Sequence, residues 1–393
     1  MQVVSMPVIR QSQFTIHKTN FMIETKNQWY ETKNLGEIDS PALVIYPERV
    51  KKNIGTAIEM IEDVQRLRPH VKTNKCREVV EMMIDAGISK FKCATIAEAE
   101  MMGMCNAKDV VLAYQPVGPK LKRFVSVMKK YPATKFSCLT DNADAAKQMA
   151  EAFASEGLTV PVYLDLNIGQ NRTGIEPEHA VDLYVCCSGL NGIEPVGLHA
   201  YDGHIRDADF NARKQKCDEC FDTVLKVKEA IIQRGLGSPV IIAGGSPTFS
   251  IHCKRKNIEC SPGTFVFWDK GYTNLCPEQN FLTAALVIAR VISLPTETKL
   301  CIDLGHKSVA AENEITKRVF FLNAPELIPI GQSEEHLVVE AGLHHPYKTG
   351  DVLYGLPIHI CPTVALYERA STVTDHIANG EWKIIARDRK ISL

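Results

Sequence analysis

The feature that most constrains this chain is a rhythm. From Pro41 onward, short runs rich in β-branched and aromatic residues alternate with stretches whose apolar residues recur at i, i+3 and i+4. The runs at 42–46 (ALVIY), 66–73, 90–94 (KFKCA), 109–114, 135–140, 161–167, 194–201, 238–245 and 257–267 read as strands. Helical stretches lie between them, for example at 77–87, 142–157 and 210–235. Repeated β–α units imply a parallel sheet, and eight or nine of them in about 230 residues suit a closed (β/α)8 TIM-like barrel better than an open sheet. After residue 275 the rhythm changes. Segments 284–293, 299–302, 317–322, 336–339, 351–354 and 381–386 are β-like and separated by turns, which predicts an antiparallel β domain. The expected fold is α/β: an arm over 1–40 that joins the β domain, a barrel over 41–275 with 42–46 as its first strand, and a C-terminal β domain over 276–393.

Composition removes several classes. A chain of 393 residues with 45% hydrophobic and 23% charged residues is an ordinary globular protein too long for one small core. A net charge of −1 and no Lys/Arg run argue against nucleic acid as a partner. Thirteen cysteines, an odd number scattered through apolar runs, read as reduced thiols. The first residues lack the charged-then-apolar pattern of a secretion signal, and no apolar run is long enough to span a bilayer. A cytoplasmic location is expected.

Functional groups of a barrel gather at the C-terminal ends of its strands. In RPHVKTNKC, Arg68, His70 and Lys72 share one strand face, with Lys72 last. A lysine at a strand end is ordinarily just solvated; in a partly dry barrel mouth its amine can instead form a Schiff base. Near the last strands, Gly244-Gly245-Ser246-Pro247-Thr248 follows an apolar run where barrels commonly bind phosphate. The glycines would admit an anion, and Ser246 and Thr248 would donate hydroxyls. Alone this is a tight turn; paired with Lys72 it suggests pyridoxal phosphate. Arg172, in a glycine-flanked loop after 161–167, could reach the cofactor or a carboxylate or merely cap the loop. Tyr201 shares a strand face with His199 and could offer a hydroxyl to a ring nitrogen or simply pack. His359-Ile360-Cys361, taken as a strand, would place an imidazole and a thiolate on one face as two ligands of a catalytic zinc, against the commoner case of an incidental His and a buried Cys.

Read in order, SPALVIYPERVKKNI, RPHVKTNKC, KFKCATIAEAEMM, DLNIGQNRTGI, LHAYDGH, AGGSPTF, PGTFVFWD, SEEH and HICPTV resemble the D-threonine aldolase and D-serine dehydratase family, whose barrel is of the alanine racemase N-terminal type. The resemblance implies a fold-type III pyridoxal-phosphate enzyme, a homodimer and a D-3-hydroxy amino acid as substrate. It makes Lys72 the Schiff-base lysine, Gly244, Gly245, Ser246 and Thr248 the phosphate cradle, and Arg172 and Tyr201 cofactor contacts. It makes His359 and Cys361 the pair that binds a divalent metal: zinc first, with manganese or magnesium as alternatives. Asn74 departs from the pattern, since relatives often carry histidine there. The family's dehydratases tend to have a cysteine where its aldolases have a carboxylate, so Cys361 tips the expectation to a D-serine dehydratase-like elimination giving a 2-oxo acid and ammonia. The alternatives are a D-threonine aldolase, a racemase, which would not need the metal pair, and a non-catalytic pyridoxal-phosphate carrier, which would lack the β domain.

Overall fold

The computed structural model describes residues 28–393. Most of the arm expected over 1–40 therefore lies outside the described residues. The first strand, β1 (Ala42–Ile45), leads into α1 (Pro47–Ile61). That helix starts on a proline whose missing N–H costs nothing there, and it buries Val50, Ile54, Ala57 and Ile61 on one stripe. The parallel strands follow: β2 (Lys90–Cys93), β3 (Asp109–Leu112), β4 (Lys135–Thr140), β5 (Val160–Asp165), β6 (Ile193–Ala200), β7 (Val240–Ala243) and β8 (Ile258–Cys260), hydrogen-bonded in that order. Between and around them run α2 (Arg77–Asp85), α3 (Ile96–Met104), α4 (Pro119–Lys130), α5 (Ala143–Ala154), α6 (Pro177–Ser188), α7 (Phe210–Gln233), α8 (Phe249–His252) and α9 (Lys270–Leu275). Side-chain caps start several of them: Thr95 on α3, Asn142 on α5 and Asp209 on α7 each accept from a first-turn amide.

The segment 67–71 closes the barrel. Arg68 and His70 donate their amides to the Cys260 and Pro262 carbonyls on one side, while Val71 donates to Lys92 and Lys92 donates to Pro69 on the other. The run ALVIY is not the first barrel strand, as the sequence had suggested. β1 pairs parallel with 369–374 and antiparallel with 285–296, in the other sheet. Its run is buried and wholly apolar, so no alternation marks which sheet it joins.

The second sheet comprises β9 (Ala285–Thr296), β10 (Lys299–Ile302), β11 (Val319–Phe321), β12 (Ile328–Gln332), β13 (Leu337–Glu340), β14 (Val352–Pro357), β15 (Arg369–Thr374) and β16 (Ile377–Lys383). It runs β12-β13-β10-β9-β1-β15-β16, with β14 joining β9 to β11. It is antiparallel except where β1 meets β15. β12 and β15 have no counterpart in the sequence reading; in β12, Pro329 and Gly331 disguise the strand, as expected at a sheet edge. The pair His359 and Cys361 does not lie on a strand: His359 precedes and Cys361 falls within a short helix, α10 (Ile360–Val364). Among the described residues no helix is long and apolar enough to cross a membrane.

Candidate active site

Alternation inside the barrel sorts the polar residues into two levels. At the floor, Arg68 is 1% exposed and is held by Glu259 at 2.7 Å and Asp109 at 2.6 Å, while Lys90 also pairs with Glu259. Burial opposes the charge on Arg68, but the two carboxylates hold it firmly protonated. Arg68 therefore belongs to the barrel's structural seam. Above it, Val111, Leu139, Tyr163 and Ile242 form an apolar plug.

At the mouth, one cavity of about 270 Å³ is lined by Lys72, Lys92, Asp165, Arg172, His199 and Tyr201, among others. Lys72 leaves the closing segment on a turn, and its backbone amide donates to His70 Nδ1 at 3.4 Å. Burial first, then the charges of Lys72 and Lys92, push His70 well below its ordinary value, so its ring is neutral. Three basic side chains surround the Tyr201 ring: Lys92 Nζ at 5.5 Å, Lys72 Nζ at 5.9 Å and the Arg172 guanidinium carbon at 5.2 Å from its centroid. The lining carboxylate, Asp165, is bound to His199 Nδ1 at 2.6 Å and to the Thr173 hydroxyl at 2.8 Å. A carboxylate only accepts, so His199 carries its proton on Nδ1 and its Nε2 accepts from Lys92 Nζ at 3.4 Å.

The loop 244–248 leaves β7 fully buried. Gly244 takes a φ of 76°, in the left-handed region open to glycine. A Cβ on Gly245 would lie 2.8 Å from the Tyr201 ring, so glycine is what lets the loop touch it. The Ser246 hydroxyl accepts from the Thr264 amide at 3.1 Å. The Thr248 hydroxyl turns the other way and donates to Asp202 at 2.7 Å, which braces the loop from below. Ser261 donates its amide to Gly244, yet its own buried hydroxyl has no partner. A tight glycine loop, an unmatched hydroxyl and a ring of basic side chains fit a phosphorylated ligand.

Beneath the loop, Asp202, Cys217 and His252 place ligand atoms within 4.8 Å of one another, a spacing that could hold a metal ion. Their hydrogen bonds are already made, however. Asp202 accepts from Thr248 and from His252 Nε2 at 2.8 Å, and Arg255 donates to His252 Nδ1 at 2.6 Å. Burial pushes the Cys217 thiol up to about 12. A guanidinium in place and a protonated thiol make this cluster a brace for the loop.

The second donor set stands beside Lys72. The Cys361 sulfur lies 3.1 Å from the hydroxyl of Thr73, the residue after Lys72, and 3.5 Å from that of Thr264. Burial pushes this thiol up, but the hydrogen bond and charge of His359, and then Lys72, bring it below its ordinary value. His359 in turn is raised to about 9: burial opposes protonation, and Cys361, Glu312 and Asp269 favour it. Glu312 holds His359 Nδ1 at 2.5 Å, leaving Nε2 as the ring's remaining ligand atom. An imidazole and a thiolate, partly open to solvent, suit a borderline-soft divalent ion. Asp269 anchors the turn into α10 by accepting from the Ile360 amide at 3.0 Å and the Tyr272 amide at 2.9 Å. Asn74 is buried with its Nδ2 unpartnered.

The fold thus brings Lys72, Arg172, Tyr201 and the glycine loop to one mouth, and His359 and Cys361 to its edge. Sequence reasoning passed over Lys92, although Lys90-Phe91-Lys92-Cys93 shows the same charged alternation as Arg68, His70 and Lys72.

A parallel barrel with an amine and a buried glycine loop at one mouth, joined to a β-sheet that brings an imidazole and a thiol to its rim, defines a class of two-part barrel enzymes. The chain belongs to the alanine racemase N-terminal domain family, whose description "Alanine racemase, N-terminal domain" matches residues 45–270; "Putative serine dehydratase domain" matches residues 284–373. It is 25% identical over 364 residues to a D-threonine aldolase from Arthrobacter sp., covering 90% of this chain and 94% of that one. It is 24% identical over 357 residues to a D-threo-3-hydroxyaspartate dehydratase from Delftia sp., covering 84% of this chain and 93% of the relative. Among solved structures, a D-threonine aldolase from Filomicrobium marinum superposes with a TM-score of 0.81 at 25% identity, over 90% of this chain and 96% of that one.

Proposed function

We propose that the protein is a pyridoxal-phosphate- and metal-dependent lyase that acts on D-3-hydroxy amino acids, by β-elimination to a 2-oxo acid and ammonia. The contact that carries the reading is Thr73 against Cys361 at 3.1 Å, which supports a site shared by Cys361, His359 and Lys72. Lys72 would hold the cofactor's aldehyde carbon, the loop from Gly244 to Ser246 its phosphate, and Tyr201 and Arg172 its ring. When bound, the cofactor supplies an electron sink for charge developing at the substrate's α-carbon. His359 and Cys361 would hold a divalent ion, which there supplies Lewis acidity towards a 3-hydroxyl oxygen.

The chain's own groups do the rest. Lys72 Nζ, at the cavity mouth, would act as the base that takes the α-proton. Neutral His70 accepts from the Lys72 backbone amide and fixes the turn on which that amine rides. Glu312 fixes the tautomer of His359, and Thr73 and Thr264 fix the sulfur of Cys361. Gln170 lines the cavity with a buried carbonyl oxygen that has no partner, ready to accept from a substrate ammonium. Cys361, in the place where the sequence resemblance expects a dehydratase's cysteine, supports elimination. Aldol cleavage to glycine and an aldehyde would use the same groups, and the two D-threonine aldolases among the relatives support that second reading.

Thirteen free cysteines support a reducing, cytoplasmic setting. Exposed Ile292 and Leu294 on β9 and Ile328 and Ile330 on β12 support a homodimer.

Two measurements test the function. Purified protein incubated with D-serine, D-threonine and D-threo-3-hydroxyaspartate should release 2-oxo acid, and EDTA should abolish turnover; glycine and aldehyde as the only products would convert the assignment to an aldolase. Borohydride treatment should attach a pyridoxyl group to Lys72, found by peptide mass, and the label should vanish in Lys72→Ala.

A further inference from the structure

Lys92 has no part in the reactions above, yet it is the most unusual amine in the cavity. It is 3% exposed on β2 and its side chain lines the cavity. Among the described residues no carboxylate comes within ion-pair distance of it, and its amine donates to His199 Nε2. The groups that face it come from every neighbouring element. They are Arg68, His70 and Lys72 from the closing segment, Asp165 from β5, Arg172 from the following loop, His199 from β6, and Tyr201 and Asp202 from the turn after it. The cations outnumber the carboxylates, and Asp165 and Asp202 are both already bound to a histidine. Burial first, and the charge of Lys72 next, bring the Lys92 amine down to about 7. A buried amine in that state lacks a counter-ion, and the cavity is shaped to admit one.

We propose that Lys92 is a proton-coupled anion-binding residue: an oxyanion entering the cavity beside Tyr201 becomes its missing counter-ion and draws a proton onto its amine. The entering group stabilises the ammonium form, so the proton comes from solvent. Uptake is therefore nearly complete above neutral pH and disappears below about pH 6, where the amine is already charged. Two sources share this chemistry: an oxygen of the phosphorylated cofactor, or a second carboxylate on the substrate. The choice between them rests on the lyase reading, whereas the uptake itself does not.

Calorimetry in two buffers of different ionisation enthalpy counts the protons. In one arm, cofactor-free protein is titrated with pyridoxal phosphate at pH 8. In the other, holoenzyme is titrated with malonate, and with acetate as a monocarboxylate control. Wild type should take up about one proton more than Lys92→Arg, whose guanidinium is already charged, and this difference should fade at pH 6. Lys92→Met should show no such uptake and bind the same anion about tenfold more weakly. A difference in the first arm assigns the anion to the cofactor. A difference with malonate but not acetate assigns it to a substrate with a second carboxylate. Equal uptake in wild type and Lys92→Arg in both arms overturns the proposal, and the Arg variant keeps the test valid if Lys92→Met does not fold. Malonate added to cofactor-free protein separates the two readings: uptake that depends on Lys92 there, with no borohydride label on Lys72, would sink the lyase reading and leave this proposal standing.

Discussion

With no ion between them, His359 favours the thiolate of Cys361 and Cys361 favours the imidazolium of His359, because each stabilises the other's charge. In metal-free protein, carboxymethylation of Cys361 should therefore follow a pH midpoint below the ordinary thiol value, and His359→Gln should move that midpoint upward. A wild-type midpoint at or above the ordinary value would refute the pair. A divalent ion should protect the thiol. The raised His359 value has a second consequence for metal-free protein. Its contribution to stability is present below the unfolded imidazole value and is lost as pH rises through about 9. Thermal melts should show wild type losing its margin over His359→Gln across that window. A margin that grows with pH would have the wrong sign.

At the scale of elements, two short pieces govern the site. The loop 244–248 is held from below by Asp202, through Thr248 on one oxygen and His252 on the other. Asp202→Asn removes one charge-assisted bond of about 1.5–3 kcal/mol, so affinity for pyridoxal phosphate should fall by roughly tenfold to a hundredfold with far-UV circular dichroism unchanged. The same measurement on EDTA-treated wild type separates a brace from a metal centre: the treated protein should bind the cofactor as before, and a matching loss would make Asp202, Cys217 and His252 ligands after all. The other piece is α10, whose first amide is tied to Asp269. Asp269→Ala frees that turn and should weaken binding of zinc, read by competition with a chelating dye, by about tenfold, the equivalent of roughly 1.4 kcal/mol. Cofactor affinity should not change, because the loop and Lys72 are held elsewhere.

Across the whole molecule, the seam at residues 67–71 decides whether the barrel is a closed unit. Arg68→Ala would leave Glu259 buried against Lys90 alone and Asp109 without a partner, a loss of about 3–5 kcal/mol in urea unfolding. A loss below 1 kcal/mol would mean that the closing segment is held by its backbone bonds alone. The β–α rhythm, the C-terminal sheet, and Lys72, Arg172 and Tyr201 as residues at one end of the barrel were legible in the sequence, because side-chain period and turn chemistry are local properties. Other features were not. ALVIY is equally apolar on both faces, so only pairing with β9 and β15 placed it outside the barrel. His359 and Cys361 look strand-like in isolation, and the Asp269 carboxylate, far away in sequence, starts a helix there. Arg68, His70 and Lys72 share one face, but their depth in the barrel gives them separate fates: ion-paired floor, neutral wall and open mouth. By itself the sequence determined which residues are chemically able to act and which face of each element they occupy. Only the tertiary structure decided which charges meet a partner, since burial and counter-ions depend on segments far apart in the chain, and that is why Lys92 is left without one.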